Sequence, residues 1–242
     1  MTLDRLPSIV AQQLEDLIVN QVFEVGERLP AERDLALQLG VSRNALREAV
    51  KVLEERGLLE VRTGSGIYVT EIDATPLTRS VTLYVKSQQV SIHHVYQTRW
   101  ILETQNARLA ALHATEDDLA ALRACIARSE AHVHEPSLFT PLDVEYHMQL
   151  ARASHNPVLP LLLETITDAL RDQCRLTEQL PGAQENALSY HRRILQAIEA
   201  HDDEAAYRAM DDHIRNGWEW LRRALSNPRE EIGPSDFMDV NE

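Results

Sequence analysis

Residues 29–69 read LPAERDLALQLGVSRNALREAVKVLEERGLLEVRTGSGIYV. Their apolar spacing predicts a short helix from about Ala31 to Leu39, stopped by Gly40, and a second from Ser42 to Arg56, ended by Gly57. Ser42 is suited to cap the second helix, because its hydroxyl can accept from a backbone N–H in the first turn. LLEVR and IYV, separated by TGSG, predict a small β-hairpin. Leu35, Ala36, Leu39, Val41, Leu46, Val50 and Leu53 fall on one side and predict the core, with the arginines opposite them. Two short helices, a tight turn and a hairpin make a helix-turn-helix with a wing.

Such a unit places the start of its second helix in the DNA major groove, here Ser42, Arg43, Asn44 and Arg47. Arginine can pair with guanine or phosphate, and asparagine can read adenine. Arg33 is placed to reach a backbone phosphate, and the tip at Thr63 and Gly64 is small enough to approach a sugar-phosphate edge. The ordinary alternative is that these arginines are solvated or paired with Glu32 or Glu48. The net charge of -14 lends DNA binding no support. Residues 28–66 nevertheless hold 7 basic against 6 acidic side chains, and the acids are expected mostly away from the DNA-facing side.

Upstream, Ile9, Val10, Leu14, Leu17 and Ile18 predict a helix over Pro7–Asn20, followed by a turn-rich break, VFEVGERLP. Downstream, IDATPL reads as a linker, and every later segment reads as helix. Helices are predicted near 77–88, from the Ser91 cap with Val95, Trp100, Ile101, Leu102, Leu109 and Leu112, from Thr115 to about His134, and from Thr140-Pro141 to Ser154. Three more follow, from Asn156-Pro157 to about Leu180, over 184–200, and over 203–225. The expected fold is mostly α: a winged helix-turn-helix over 1–73, an antiparallel bundle of six to seven helices over 74–225, and an unstructured tail over 226–242. No apolar run reaches the roughly 20 residues of a membrane span, and the N-terminus lacks a signal-peptide pattern. Cys125 and Cys174 form no CxxC pair, so a cytoplasmic protein with reduced thiols is expected.

In the helical half, Asp143 and His147 stand four residues apart, so one helix face carries a carboxylate beside an imidazole. His191, near the start of a later helix, and His213, inside the last, sit at apolar-periodic positions. Together they form a credible divalent-metal set. Taken singly, an inward histidine is more often a hydrogen-bonded core residue. His93, His94, His113, His132, His134, His155 and His201 read as surface or helix-end residues, with His132 and His134 at most a fortuitous metal pair. No Ser/His/Asp or Cys/His constellation accompanies the set, so no enzyme is expected. The rival functions are a metal-dependent enzyme acting on a small carboxylate and a winged-helix module that binds protein.

Residues 29–69 resemble the DNA-binding domain of GntR-superfamily regulators through LP-x-ER-x-LA, GVSR-x-x-LREA and GSGIYV, in that order. The resemblance implies operator contacts from Arg33, Arg43 and Arg47, helped by Asn44, Thr63 and Gly64, and a homodimer on a palindrome of double-stranded DNA. Residues 76–225 resemble the FCD-type domain of the FadR subfamily. The carrying motifs are Arg99-x-x-Leu102-Glu103, Asp143-x-x-Tyr146-His147-x-x-Leu150, Ala153-Ser154-His155-Asn156-Pro157, His191-x-x-Ile194-x-x-Ala197-Ile198 and Met210-x-x-His213. The helix near 77–88 resembles the seven-helix version of that domain. Members with this Asp and three His hold a divalent metal, often zinc, nickel or manganese, and zinc is expected here. The complete set argues against acyl-CoA sensing. The implied effector is a small organic acid, such as a sugar acid or hydroxy acid, bridging the metal and Arg99, or else Arg99 pairs with Glu103 or another acid. Most relatives are repressors relieved by an effector. His155 departs from the family's usual glycine.

Overall fold

The computed structural model describes residues 6–71, 75–177 and 180–225, with side chains left out at 6 and 168–176. The expected tail over 226–242 and part of the linker lie outside those residues. The chain divides into two compact units between Pro76 and Leu77.

In the first unit, α1 (Leu6–Val19), α2 (Glu32–Gln38) and α3 (Arg43–Glu55) precede β1 (Leu59–Arg62) and β2 (Gly66–Val69). Both α1 and α2 pack on α3, burying Val10, Leu14, Leu35, Leu46, Val50 and Leu53. Ser42 caps α3 as its position predicts, accepting from the Ala45 N–H at 3.2 Å. Leu39 and Val41 are only partly buried, and Ile9 is exposed. β1 and β2 pair antiparallel with Leu59 opposite Val69.

The segment read as a plain break is part of this sheet. Leu29 donates to the Ile67 carbonyl and Val69 to the Glu27 carbonyl, both at 2.9 Å, so residues 26–29 form a third edge. Too short and charged to alternate, it carries no strand signature. Gly66 is required chiefly by its backbone, because the Arg28 side-chain end beside it is flexible and can move aside. A Cβ there would stand 2.6 Å from the Arg28 Nε, on a backbone with φ of +132°.

The second unit holds seven described helices: α4 (Thr75–Ser87), α5 (Ile92–His113), α6 (Glu116–Ala131), α7 (Pro136–Ala153), α8 (Val158–Thr177), α9 (Ala183–Glu199) and α10 (Asp203–Leu225). α5 and α10 pack along each other, α9 lies on α10, and α7 bridges α5 and α6. The inward face of α5 is unusual. It carries Val95, Tyr96, Ala107, Ala110 and Ala111 together with the buried polar residues Glu103, Thr104 and Asn106. Ile101 and Leu112 point outward instead. α7 starts at Pro136 rather than at Thr140-Pro141. Pro136 occupies the first turn, where a missing N–H costs nothing, and Pro141 sits inside the helix.

The predicted cap of α6 is a reciprocal capping box: Thr115 accepts from the Asp118 N–H, and Asp118 accepts from the Thr115 N–H at 2.8 Å. Asp118 also contacts the His155 Nε2 at 2.8 Å, tying the left-handed His155 turn (φ 54°) to this helix start. Thr115→Ala should therefore lower unfolding stability by about 1 kcal/mol. All three tryptophans lie in this unit, so a denaturant titration followed by their fluorescence isolates it. An unchanged midpoint would show that the box contributes nothing.

Candidate nucleic-acid interface and metal centre

In the first unit, Arg33 stands exposed in the first turn of α2, and Arg43, Asn44 and Arg47 are exposed at the start of α3. The Arg43 and Arg47 side chains retain 66% and 63% of their accessible surface. Amphipathicity explains this: the same helix commits Leu46, Ala49, Val50 and Leu53 to the core, so its other side must face water. Thr63 and Gly64 form the exposed hairpin tip, with Gly64 at φ 74°. Ser42 stays near this surface, with its oxygen engaged by the cap.

The pairing with Glu32 that the sequence left open is present. Glu32 lies on the cationic side, 3.9 Å from Arg43 and 3.8 Å from Arg47. Such long, exposed pairs contribute little and exchange readily for a phosphate partner.

In the second unit, α7 supplies Asp143 and His147, α9 supplies His191 and α10 supplies His213. His191 lies mid-helix rather than near a helix start. The three imidazoles meet in the core, with one nitrogen from each lying within 4.8 Å of the others. Asp143 stands at the edge of this group, its Oδ1 3.4 Å from the His191 Nε2, and its side chain keeps 27% exposure. The rings are held by stacking: His147 on His213 at 5.1 Å, and Tyr146 on His191 at 4.1 Å. Tyr146 also donates its hydroxyl to the His191 backbone carbonyl at 3.0 Å, fixing α9 against α7.

Three observations fit these residues to a divalent cation. The His147 and His213 Nε2 atoms are 3.2 Å apart, a separation that two nitrogens each about 2.0–2.1 Å from one shared ion can take. His191 is fully buried, yet neither ring nitrogen has a hydrogen-bond partner, a costly state for a core histidine. Burial, reinforced by neighbouring positive groups, pushes the pKa of His191 and His213 well below the usual 6.5. Both rings are therefore neutral and have a lone pair to give.

Glu103 is the functional residue that sequence reasoning undervalued. It is 1% exposed, pairs with the His147 Nδ1 and with the Arg99 Nε, and leaves the His147 Nε2 directed at the other imidazoles. A carboxylate behind a histidine orients the ring and raises its basicity towards a metal. Burial alone would raise the Glu103 pKa, but Arg99 and His147 outweigh it and hold it down at about 2. The available signal was the i, i+4 spacing of Arg99 and Glu103, which sequence presents only as an ion pair. Arg99 also lies 3.2 Å from the His147 Nε2. Of its alternatives the pairing with Glu103 is present, and Arg99 also faces the histidine centre.

A cavity with about 100 Å³ of open space adjoins this centre, bounded on the near side by Arg99, Asp143 and His213. Of the histidines read as peripheral, His93 is half-buried, 5.6 Å from the Trp218 ring. Cys125 is a free, buried thiol, its pKa raised to about 11 chiefly by burial. No helix among the described residues is long and apolar enough to cross a membrane.

Residues 7–69 match the bacterial regulatory proteins of the gntR family, and residues 94–216 match the FCD domain. The chain is 32% identical over 217 residues to the Glc operon transcriptional activator of Escherichia coli K12, covering 86% of this chain and 85% of that protein. It is 33% identical over 215 residues to the Uxu operon transcriptional regulator of the same organism, covering 86% and 83%. The solved structure of a Streptococcus agalactiae GntR protein superposes with a TM-score of 0.70 at 31% identity, covering 87% of this chain and 98% of that one. With an exposed arginine-bearing recognition helix in one unit and a buried histidine triad in the other, the chain belongs to the GntR family of transcriptional regulators, with an FCD-type C-terminal domain, and is not an enzyme.

Proposed function

We propose that this regulator binds a palindromic operator as a homodimer, and that a small organic acid held at the histidine centre controls its affinity. DNA reading falls to residues 1–73 and sensing to residues 74–225. Arg33, Arg43, Arg47, Asn44 and Ser42 face the duplex, with Thr63 and Gly64 at its edge. Asp143, His147, His191 and His213 hold a divalent ion, zinc being our assignment. In six-coordinate geometry such an ion would keep two open positions beside these four residues, which a carboxylate can fill. Arg99 grips the acid's other oxygens by charge-assisted hydrogen bonds.

The observation that carries this proposal is the meeting of three buried imidazoles beside a cavity whose wall bears Arg99. A polar core of this kind costs stability unless it binds something. Two recognition helices must lie about 34 Å apart, one turn of DNA, to engage a palindrome together. An acid that favours an arrangement of the dimer with another spacing releases DNA. Its leverage equals its differential affinity for the two arrangements. We assign repression relieved by the acid, the sign that the family resemblance implies, and one relative named an activator shows the alternative sign in the family.

Arg43→Ala and Arg47→Ala should each weaken operator binding by about 1–3 kcal/mol in gel shifts. Unaltered shifts for both would remove α3 as the reading helix. His191→Ala and His213→Ala should lose bound metal in elemental analysis of protein purified without a histidine tag. The exposed His134→Ala serves as the control that retains it. Equal metal content in all of them would return the triad to a purely packing role.

A further inference from the structure

We infer that Arg28 and Arg62, on the outer face of the wing, clamp DNA phosphates and hold this acidic protein on duplex of any sequence. The inference rests on the proposed operator binding and adds to it a contact that reads no base.

The sheet register brings the two arginines together. Glu60 stands opposite Tyr68 and Arg62 opposite Gly66, while Arg28 bridges to Tyr68 from the other edge. Residues paired in this way share a face, so Arg28, Tyr68, Glu60 and Arg62 lie on one side of the sheet. Leu59, Ile67 and Val69 take the opposite side and are buried with Leu46, Val50 and Leu53 of α3. The arginines therefore face away from the recognition helix, directly behind the Thr63–Gly64 tip.

Both side chains lie along this face. The Arg62 guanidinium rests 4.3 Å from the centre of the Tyr68 ring and donates twice to the Glu60 Oε2, at 3.0 and 2.8 Å. Ser65 steadies the same ring, with 2.7 Å between its hydroxyl and that of Tyr68. The Arg28 side chain crosses the hairpin at Gly66, its Nε 2.6 Å from the place a Cβ would take. Side chains that read bases reach down into a groove, whereas cations laid along a surface suit the phosphate ridge beside it.

Charge supplies the reason for such a clamp. The chain carries a net charge of -14, so its approach to DNA depends on where cations are gathered. Of the 7 basic residues over 28–66, Arg33, Arg43 and Arg47 are assigned to the operator, and Lys51 and Arg56 pair with Glu48 and Glu15. Arg28 and Arg62 remain, next to the tip placed at the duplex edge. Glu60 shares their face, but it sits a row farther from the tip, and its pair with Arg62 is half-exposed on both sides. Such a pair exchanges readily for a phosphate partner.

Fluorescence anisotropy with full-length protein tests this on two probes: the duplex that the wild type recovers from a random-sequence library, and a scrambled duplex of equal length and composition. In the Arg28→Ala, Arg62→Ala double variant, the slope of log Kd against log salt should fall by about 0.9 for each lost phosphate contact, roughly three to four for a dimer. Both probes should bind at least tenfold more weakly at about 0.1 M salt, with the ratio between them held within twofold. The Arg28→Lys, Arg62→Lys pair should keep the wild-type slope, and Arg43→Ala should instead shrink the ratio. Arg56→Ala, which removes a charge from the same unit, should leave the slope unaltered. A slope unmoved by the alanine pair, lost equally by the lysine pair, or moved as far per residue by Arg56→Ala would overturn the inference. So would a loss confined to the recovered duplex, which is the mark of base reading. Recovery of no preferred duplex by the wild type would defeat the operator proposal instead, and the slope on the scrambled probe would still decide the clamp.

Discussion

The second unit depends on the convergence of His147, His191 and His213 in a space that water cannot fill freely. Helices α7, α9 and α10 each spend a core position on an imidazole, and α5 spends one on Glu103. Apolar side chains of similar size would pack there more stably. The sequence accepts that cost, and it surrounds the polar cluster with supports: two ring stacks, the Tyr146 hydroxyl on the α9 backbone, and a carboxylate behind His147. Groups held this rigidly need little reorganisation when a cation arrives, which is how a small site gains affinity.

Arg99 gives the centre its chemical logic. Its guanidinium stands beside the His147 Nε2, where a divalent ion would also be drawn. Two cations in one buried space repel, and an anion between them turns that repulsion into two attractions. Metal and organic acid are therefore expected to help each other bind, and linkage requires that each help the other to the same degree. Glu103 keeps Arg99 from becoming an unpaired buried charge while the acid is absent.

Much of the fold was legible because its signals are local. Ser42 and Thr115 mark their helices by cap chemistry, Gly57 marks an end, and the alternation of Leu46, Val50 and Leu53 with Arg43 and Arg47 fixes which side of α3 is outside. The start of α7 was misplaced because two prolines, Pro136 and Pro141, both fit a first turn, and only the packing of Phe139 into the core shows that the helix has already begun. The edge formed by residues 26–29 was missed because its bonds run to Ile67 and Val69, some forty residues away. At the site, His191 and His213 were visible as polar intrusions in apolar stripes, and His147 by its spacing from Asp143. The pairing of Glu103 with His147 was not, since it joins residues on separate helices and only the bundle brings them together.

The central claim is that acid and metal act as one signal at the operator. Operator affinity measured by fluorescence anisotropy, across a grid of metal and acid concentrations, tests it most directly. The account predicts that the acid changes DNA affinity at least tenfold with metal bound and leaves it unaltered once a chelator has stripped the protein. An equal acid response from stripped and loaded protein would contradict it.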